Sequence, residues 1–313
     1  METYGLHPAC ETNNMISPEQ HIYSRFPESL FPPTNNEEYI RSLIRGLQVA
    51  SGLNVVITGL CKNIASVVDH AVARLYKTAE LFNNYRFLVY ENDSDDGTAE
   101  RLRYYASQDD KFLLAQETVG HKGFDSISRE LARPLYLGSL RNKCQDLIMN
   151  MDNFKIDYII VIDLDLEGGW SYDGILNSFA YDLSVWSAMT ANGIMYREKR
   201  TKFKGQESVE VERIFHDTWA YRDYGTDILK PCETVNKYQF ERGENPVEVF
   251  SNFNGLGVYK FEDTQGSKFG AEKNEDGTVT NEWSYYHREM RKKGKKIFLN
   301  PSLITLYSPH EFS

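Results

Sequence analysis

The sequence predicts an α/β fold: a mostly parallel central sheet flanked by helices, followed by a mixed α+β second half. Three observations carry this. Short β-branched apolar runs alternate with stretches of helical period from about residue 54 to residue 183, which implies right-handed crossovers between parallel strands. Several of those runs stop at Gly or at acidic residues, as strands do where their carboxyl ends face a ligand. Beyond residue 183 the alternation gives way to irregular segments rich in Gly and aromatic residues.

The elements follow in order. Residues 1–36 are polar, contain SPEQ and FPESLFPPTNN, and predict a surface arm. EEYIRSLIRGLQVA (37–50) carries Ile and Leu at helical spacing after an Asn-Asn start. NVVITGL (54–60) is a strand closing on Gly59, IASVVDHAVARLYKTAELF (64–82) a helix, and YRFLVYEND (85–93) a strand closed by acids. GTAERLRYYAS (97–107) is a short helix and KFLLAQE (111–117) a third strand. ISRELARPLYLGSLRNKCQDLIMNM (127–151) is a long helix with an interruption at Pro134, and DYIIVIDLD (157–165) is the most apolar strand. In the second half, WSAMTANGIM (186–195) predicts a buried strand, followed by polar KRTKFKGQESVEVER and by IFHDTWAYRDYG (214–225). SNFNGLGVYKF (251–261) is a Gly-rich turn into a strand, NEWSYYHREMRKKG (281–294) a helix, and 295–312 a terminal strand and tail. The chain divides into an arm and helix (1–50) and one domain (51–313), whose halves are 51–183 and 184–313.

Composition excludes several functions. The formal net charge is −10, so a sequence-independent grip on nucleic acid, which needs a surplus of Lys and Arg, is not expected. An acidic protein that handles an anionic substrate needs local positive charge, such as a metal ion. The four cysteines, Cys10, Cys61, Cys144 and Cys232, are too scattered for a zinc site or a disulfide framework. No apolar run approaches the ~20 residues of a membrane span. METYGLHPACETNN lacks the pattern of a secretory signal. Asn92-Asp93-Ser94 is a formal glycosylation acceptor at a strand end that faces the expected cleft, a placement that only a cytosolic chain tolerates freely. A cytoplasmic location is the expectation.

The chemistry centres on IDYIIVIDLDLEGGWS. Asp163 and Asp165 lie two apart at a strand's carboxyl end, so their side chains share one side. Two carboxylates so placed repel each other unless one takes a proton or a cation lies between them. Mg²⁺ or Mn²⁺ fits, because these hard cations take one or two protein carboxylates and leave positions for substrate phosphate oxygens. Capping of the next helix is the plainer use of such acids; the apolar strand before them and Gly168-Gly169 after them favour the metal.

This order of motifs resembles nucleotide-sugar glycosyltransferases of the GT-A fold, a Rossmann-like architecture. YENDSDDGTAERL (90–102) is similar to the acid-rich turn after the second strand of family 2 transferases. ENDSDDGT, the Arg-Asn pair of LGSLRNKCQDLI, HDTWAYRD and FNGLGVYKF together resemble the fungal capsule mannosyltransferase (Cap59-type) group. The likeness covers roughly 54–310 as separate motifs in order. It implies that 51–183 binds a nucleotide-diphosphate sugar donor and 184–313 a glycan or glycoconjugate acceptor. It places Thr58, Leu60, Glu91 and Asp93 at the nucleoside, Asp163 and Asp165 at the metal, and His310 as a third metal ligand.

Other residues have both a functional and a plain use. Arg141 suits a phosphate, whereas Arg129 and Arg133 suit surface ion pairs with Glu130 or Asp146. Glu282 and His287 open the helix after the Gly-rich turn, where the likeness puts a general base; Glu282 equally suits a helix N-terminus. Asp217, Trp219 and Asp223 offer carboxylates and an aromatic platform to an acceptor. Asn254, Gly255 and Gly257 permit close backbone approach to it. RKKGKK (291–296) reads as a solvated helix end. The expected function is thus a metal-dependent glycosyltransferase, inverting or retaining. A sugar nucleotidyltransferase is the nearest alternative, although GLCKNIAS offers only Lys62 where that class has a basic loop. A carbohydrate-binding scaffold of the same fold is the second.

Overall fold

The computed structural model describes residues 26–120, 130–203 and 206–307. Four parallel strands form its first half: β1 (Asn54–Cys61), β2 (Asn84–Asn92), β3 (Phe112–Glu117) and β4 (Tyr158–Ile162), side by side in the order β3-β2-β1-β4. Helices α2 (Val68–Ala79), α3 (Thr98–Gln108) and α4 (Ala132–Met149) supply the crossovers. The fold is therefore α/β with a large sheet flanked by helices, as the alternation predicts.

The same sheet continues into the second half. It adds β5 (Gly169–Trp170), β6 (Ala188–Phe203), β7 (Gln206–Phe215), β8 (Val247–Val249), β9 (Leu256–Lys260) and β10 (Ile297–Leu306). β9 lies antiparallel between β4 and β6, and β10 runs parallel to β6. The irregular look of this half in sequence comes from that mixture of directions. Between these strands come α5 (Tyr172–Ser178), α6 (Cys232–Val235), α7 (Phe261–Thr264) and α8 (Glu282–Lys292). α1 (Asn36–Ala50) precedes the sheet and is capped by the Asn35 side chain, which accepts from the Glu38 amide at 3.2 Å.

Four sequence expectations change. Pro134 does not interrupt α4: it sits in the first turn, where no amide donor is needed. The described residues of KRTKFKGQESVEVER are not irregular but lie in the long antiparallel β6–β7 pair, whose opposite charges meet across strands, as at Arg197–Glu212 (3.0 Å). α1 buries Ser42, Gly46 and Ala50 rather than Ile40, Ile44 and Leu47, which are exposed. A Cβ on Gly46 would meet the Leu176 carbonyl at 1.9 Å, so only small residues let α1 lie that close to α5. Finally, β4 ends at Ile162, and both aspartates lie in the turn beyond it.

Core packing fixes the elements that carry the site. On one face of the sheet, Val55, Ile57 and Phe87 pack with α2, and the Trp170 indole donates to Thr78 Oγ1 at 2.9 Å. On the other, Leu140, Cys144 and Ile148 of α4 pack on Val56, Leu88 and Ile159. α8 is held by rings: Trp283 stacks on Phe253 at 3.7 Å and Tyr286 on Phe269 at 4.0 Å. Each such pair adds about 0.5–1.5 kcal/mol beyond burial, which anchors the N-terminus of α8 beside β9.

Candidate active site

A cleft of 940 Å³ opens at the carboxyl ends of β1 and β4. Asp163 and Asp165 lie on its wall. The alternation of the strand persists through the turn: Leu164 and Leu166 are buried, while Asp163 is half-buried and Asp165 and Glu167 are exposed. Both aspartates thus face the cleft because the leucines between and after them anchor the turn to the core. Gly59 makes this possible, since a Cβ there would meet the Ile162 carbonyl at 2.4 Å and Leu164 at 2.8 Å. The acids do not cap the following helix. α5 is capped by Ser171, whose Oγ accepts from the Gly174 amide at 2.8 Å.

Electrostatics concentrate on Asp163. Burial pushes its carboxyl up to about 7; Arg141 opposes this, and the charges of Asp165 and Glu282 add to it. Arg141, on the buried side of α4, donates to Asp163 at 3.3 Å and lies 3.5 Å from Glu282. Its guanidinium also stands 4.5 Å from the Trp283 ring centroid and 5.3 Å from that of Phe253. Glu282 is the first residue of α8 and lines the cleft, with its carboxyl raised by burial and lowered by Arg141. Arg133, Tyr136, Leu137, Leu140 and Arg141 present one helical face of α4 to the cleft.

The opposite wall comes from the segment after β7. Asp217 is oriented at both ends: its amide donates to Asn254 Oδ1 at 2.7 Å, and its carboxylate accepts from the Ala220 amide at 3.0 Å. Trp219 donates to the Val279 carbonyl at 3.0 Å, and the Arg133 guanidinium lies over its ring at 5.6 Å. The cleft-lining Tyr307, just past β10, has its hydroxyl raised well above the usual range by burial and by the charges of Asp163, Asp217 and Asp165. Those three carboxylates therefore share one locality.

Several expected residues lie elsewhere. Thr58 is buried and lines a separate small cavity, whereas Leu60 borders both that cavity and the cleft. The Glu91 carboxylate accepts from the Ser94 amide at 2.9 Å and from Gln116 at 2.8 Å. Asp93, at φ 54°, accepts from the amides of Val119 and Gly120. Both acids shape the turn, and Asn92 is the residue of that segment that lines the cleft. Asp223 pairs with Lys230. His287 is fully buried between Ser251 and Tyr259 at 3.0 Å each, and burial drives its pKa down to about 3, so it is a neutral core residue. Asn254 supports Asp217, and the Gly255 carbonyl accepts from the Asp163 amide at 2.8 Å; a Cβ on Gly257 would meet the Tyr259 ring at 2.5 Å. These three positions serve internal packing. The basic residues of 291–296 all have partners: Arg291 with Asp227, Lys292 with Glu289, Lys293 with Gln265 and Ser267, Lys295 with Asp263 and Lys296 with Glu248. Arg129 and His310 lie outside the described residues.

The sequence reading missed His216, Tyr307 and Asn281, which line the cleft. His216 packs on Tyr307 with ring centroids 3.7 Å apart, and burial lowers its pKa while Asp217 and Asp165 raise it. Its position directly before Asp217 in HDTW was the available signal.

Among the described residues, no group of three His, Cys, Asp or Glu side chains could enclose a metal ion. Asp163 and Asp165 nonetheless form an oxygen donor pair on an open wall. That is the set Mg²⁺ or Mn²⁺ uses when water and phosphate oxygens complete the shell. Among the described residues, no helix is long and apolar enough to cross a membrane.

No protein-family model and no curated protein sequence matches the chain. Among solved structures it is similar to the mannosyltransferase PcManGT from Pyrobaculum calidifontis in complex with GDP-Man and Mn²⁺, at 13% identity and a TM-score of 0.43, over 93% of this chain and 67% of that one. It is also similar to GalNAc-T7 with UDP, GalNAc and Mn²⁺ (10% identity, TM-score 0.40), over 82% of this chain and 44% of that one. A third is S. aureus TarS 1-349 (10% identity, TM-score 0.41), over 81% of this chain and 60% of that one. These are likenesses of general layout, and the site stands on its own residues.

Proposed function

We propose that the protein is a metal-dependent glycosyltransferase of GT-A type that moves a sugar from a nucleotide-diphosphate donor to a hydroxyl of a glycan or glycoconjugate. The observation that carries this is the pair Asp163 and Asp165 on the wall of a 940 Å³ cleft at the carboxyl ends of parallel strands. The motif order that resembles the fungal capsule mannosyltransferase group supports the same class.

Mn²⁺ or Mg²⁺ held by Asp163 and Asp165 supplies charge neutralisation for the donor diphosphate when bound. The chain's own residues do the rest. Arg141, stacked on Trp283 and paired with two carboxylates, is held rigidly where it adds positive charge to the leaving phosphate. Leu60 and Asn92 border the nucleoside end. Asp217 and Glu282 are the two carboxylates left to meet an acceptor hydroxyl. Asp217 is the more available as a base, since Glu282 is buried against Arg141. Trp219, with the Arg133 guanidinium over its ring at 5.6 Å, is the aromatic residue beside which a sugar ring would lie. Asn92 of the formal glycosylation site is buried and donates to Tyr136 at 2.9 Å, so it is closed to modification in any compartment.

Incubating the protein with Mn²⁺ and individual sugar nucleotides, and following release of the nucleoside diphosphate, tests the proposal. Release from one nucleotide class, abolished by EDTA and restored by Mn²⁺, is expected. No release from any sugar nucleotide, with or without saccharide acceptors, would contradict it.

A further inference from the structure

We infer that a small cavity beneath Arg141 binds one ordered water molecule, which ties the arginine to β1 and to α8. The cavity has a volume of 30 Å³ and lies between α4, the sheet and α8, sharing Arg141 and Trp283 with the larger cleft. Five polar atoms of its lining side chains are buried and make no hydrogen bond within the protein: Nε and Nη1 of Arg141, Nε1 of Trp283, Oε1 of Gln145 and Oγ1 of Thr58. Nε of Arg141 faces the Glu282 carboxylate at 3.5 Å, which leaves four for the cavity. The Cys144 thiol beside Thr58 is too weak a partner to replace a true one. Buried polar atoms left in this state are costly, and these four belong to side chains that line one small space.

The chemistry of the four atoms selects the ligand. Arg141 Nη1 and Trp283 Nε1 only donate. Gln145 offers its oxygen as an acceptor, because its amide nitrogen already donates to the Tyr286 hydroxyl at 3.0 Å. The Thr58 hydroxyl accepts or donates as needed. A single water, with two lone pairs and two hydrogens, accepts from Arg141 and Trp283 and donates to Gln145 and Thr58. A cation is repelled by the guanidinium, and an aprotic anion has no hydrogen for the Gln145 oxygen. The space suits the assignment, since roughly 10–15 Å³ admits one water. Ile148, Ile159, Val161 and Phe269 give apolar walls, and the hydroxyls of Tyr259, Thr264 and Tyr286 already bond His287, the Phe261 carbonyl and Gln145. It completes the hydrogen bonding of the arginine from behind, leaving Nη2 to Asp163. Thr58 and Gln145 are thereby positioning residues for Arg141.

A high-resolution crystal structure and a double-mutant cycle test this. The map of the parent protein should show one ordered water within hydrogen-bond distance of at least three of the four atoms. A dry cavity, or Arg141 and Trp283 turned to bond protein atoms, overturns the inference. In the cycle, Thr58→Val and Gln145→Leu should each lower the Tm by about 2–6 °C. The double variant should lose little more than the worse single one, because the water departs with the first change. Losses that simply add would also overturn it.

Discussion

Arg141 donates to Asp163 at 3.3 Å from a position with almost no solvent exposure. A buried cation is tolerated only when paired, and here Asp163 and Glu282 flank it on either side. Replacing it exposes that dependence. Arg141→Lys should cut transfer by about 10²–10³-fold, because a point charge cannot reproduce the planar guanidinium. Arg141→Gln should also destabilise the fold by roughly 3 kcal/mol, since the buried Glu282 and the half-buried Asp163 lose their counter-charge. Steady-state kinetics and chemical denaturation read the two effects separately.

Asp165 is exposed and repels Asp163. Asp165→Asn should abolish metal-dependent activity while changing stability by no more than about 0.5 kcal/mol. In the metal-free protein it should also lower the Asp163 pKa, because one cause of the upward shift is gone. Carboxyl-selective NMR titration reads that shift, and an unchanged value would argue that the two side chains do not sense each other.

The raised Asp163 carboxyl, at about 7, gives a pH dependence with a definite sign. Its folded pKa lies above the ordinary 3.8. The metal-free folded state therefore holds a proton that the unfolded chain releases between those values, and this group's contribution to stability falls as pH rises from about 4 to 7. Metal requires the carboxylate, so Mn²⁺ affinity should weaken as pH drops below 7. Titration of Mn²⁺ at pH 6 and pH 8 checks this; equal affinity would show that Asp163 is already ionised at the lower pH.

His287 acts in the opposite direction. Its pKa falls from 6.5 to about 3 on burial, so the unfolded chain takes up a proton that the folded one refuses. Stability from this group is complete above pH 6.5 and declines as pH falls towards 3. Unfolding midpoints of His287→Gln should be lower than the parent's at neutral pH and fall less steeply in that window. A parallel pair of curves would contradict the neutral buried histidine.

Gly193 touches no substrate-facing surface, yet a Cβ there would meet Asn254 Oδ1 at 2.2 Å. That oxygen holds the Asp217 amide. Gly193→Ala should therefore displace Asp217 and lower activity about tenfold or more, with donor nucleotide binding retained. Loss of donor binding as well would place Asp217 on the donor side instead.

What the sequence made legible was local and periodic. The β1–β4 alternation, the Asp163–Asp165 pair and the long α4 carrying Arg141 all follow from patterns within about 25 residues. Contacts between distant segments were not legible. Glu91 and Asp93 look like ligand-facing acids in sequence, but the turn needs acceptors for its own amides and uses them there. His287 lies five residues after Glu282, roughly 140° round the helix, and so faces Ser251 and Tyr259 while Glu282 lines the cleft. His216 joins the site only through the antiparallel return of β7, a pairing that no local pattern announces. The β6–β7 pair itself was hidden by its charges, which pair across strands instead of marking a loop.

A divalent cation held by Asp163 and Asp165 against the donor's diphosphate is what the proposed activity requires. Calorimetric titration of UDP and GDP into the parent protein and Asp165→Ala, each with Mn²⁺ and with EDTA, tests it most directly. One nucleotide should bind the parent only in Mn²⁺, and none should bind the variant under either condition. Equal binding by both proteins, or binding indifferent to EDTA, would contradict it.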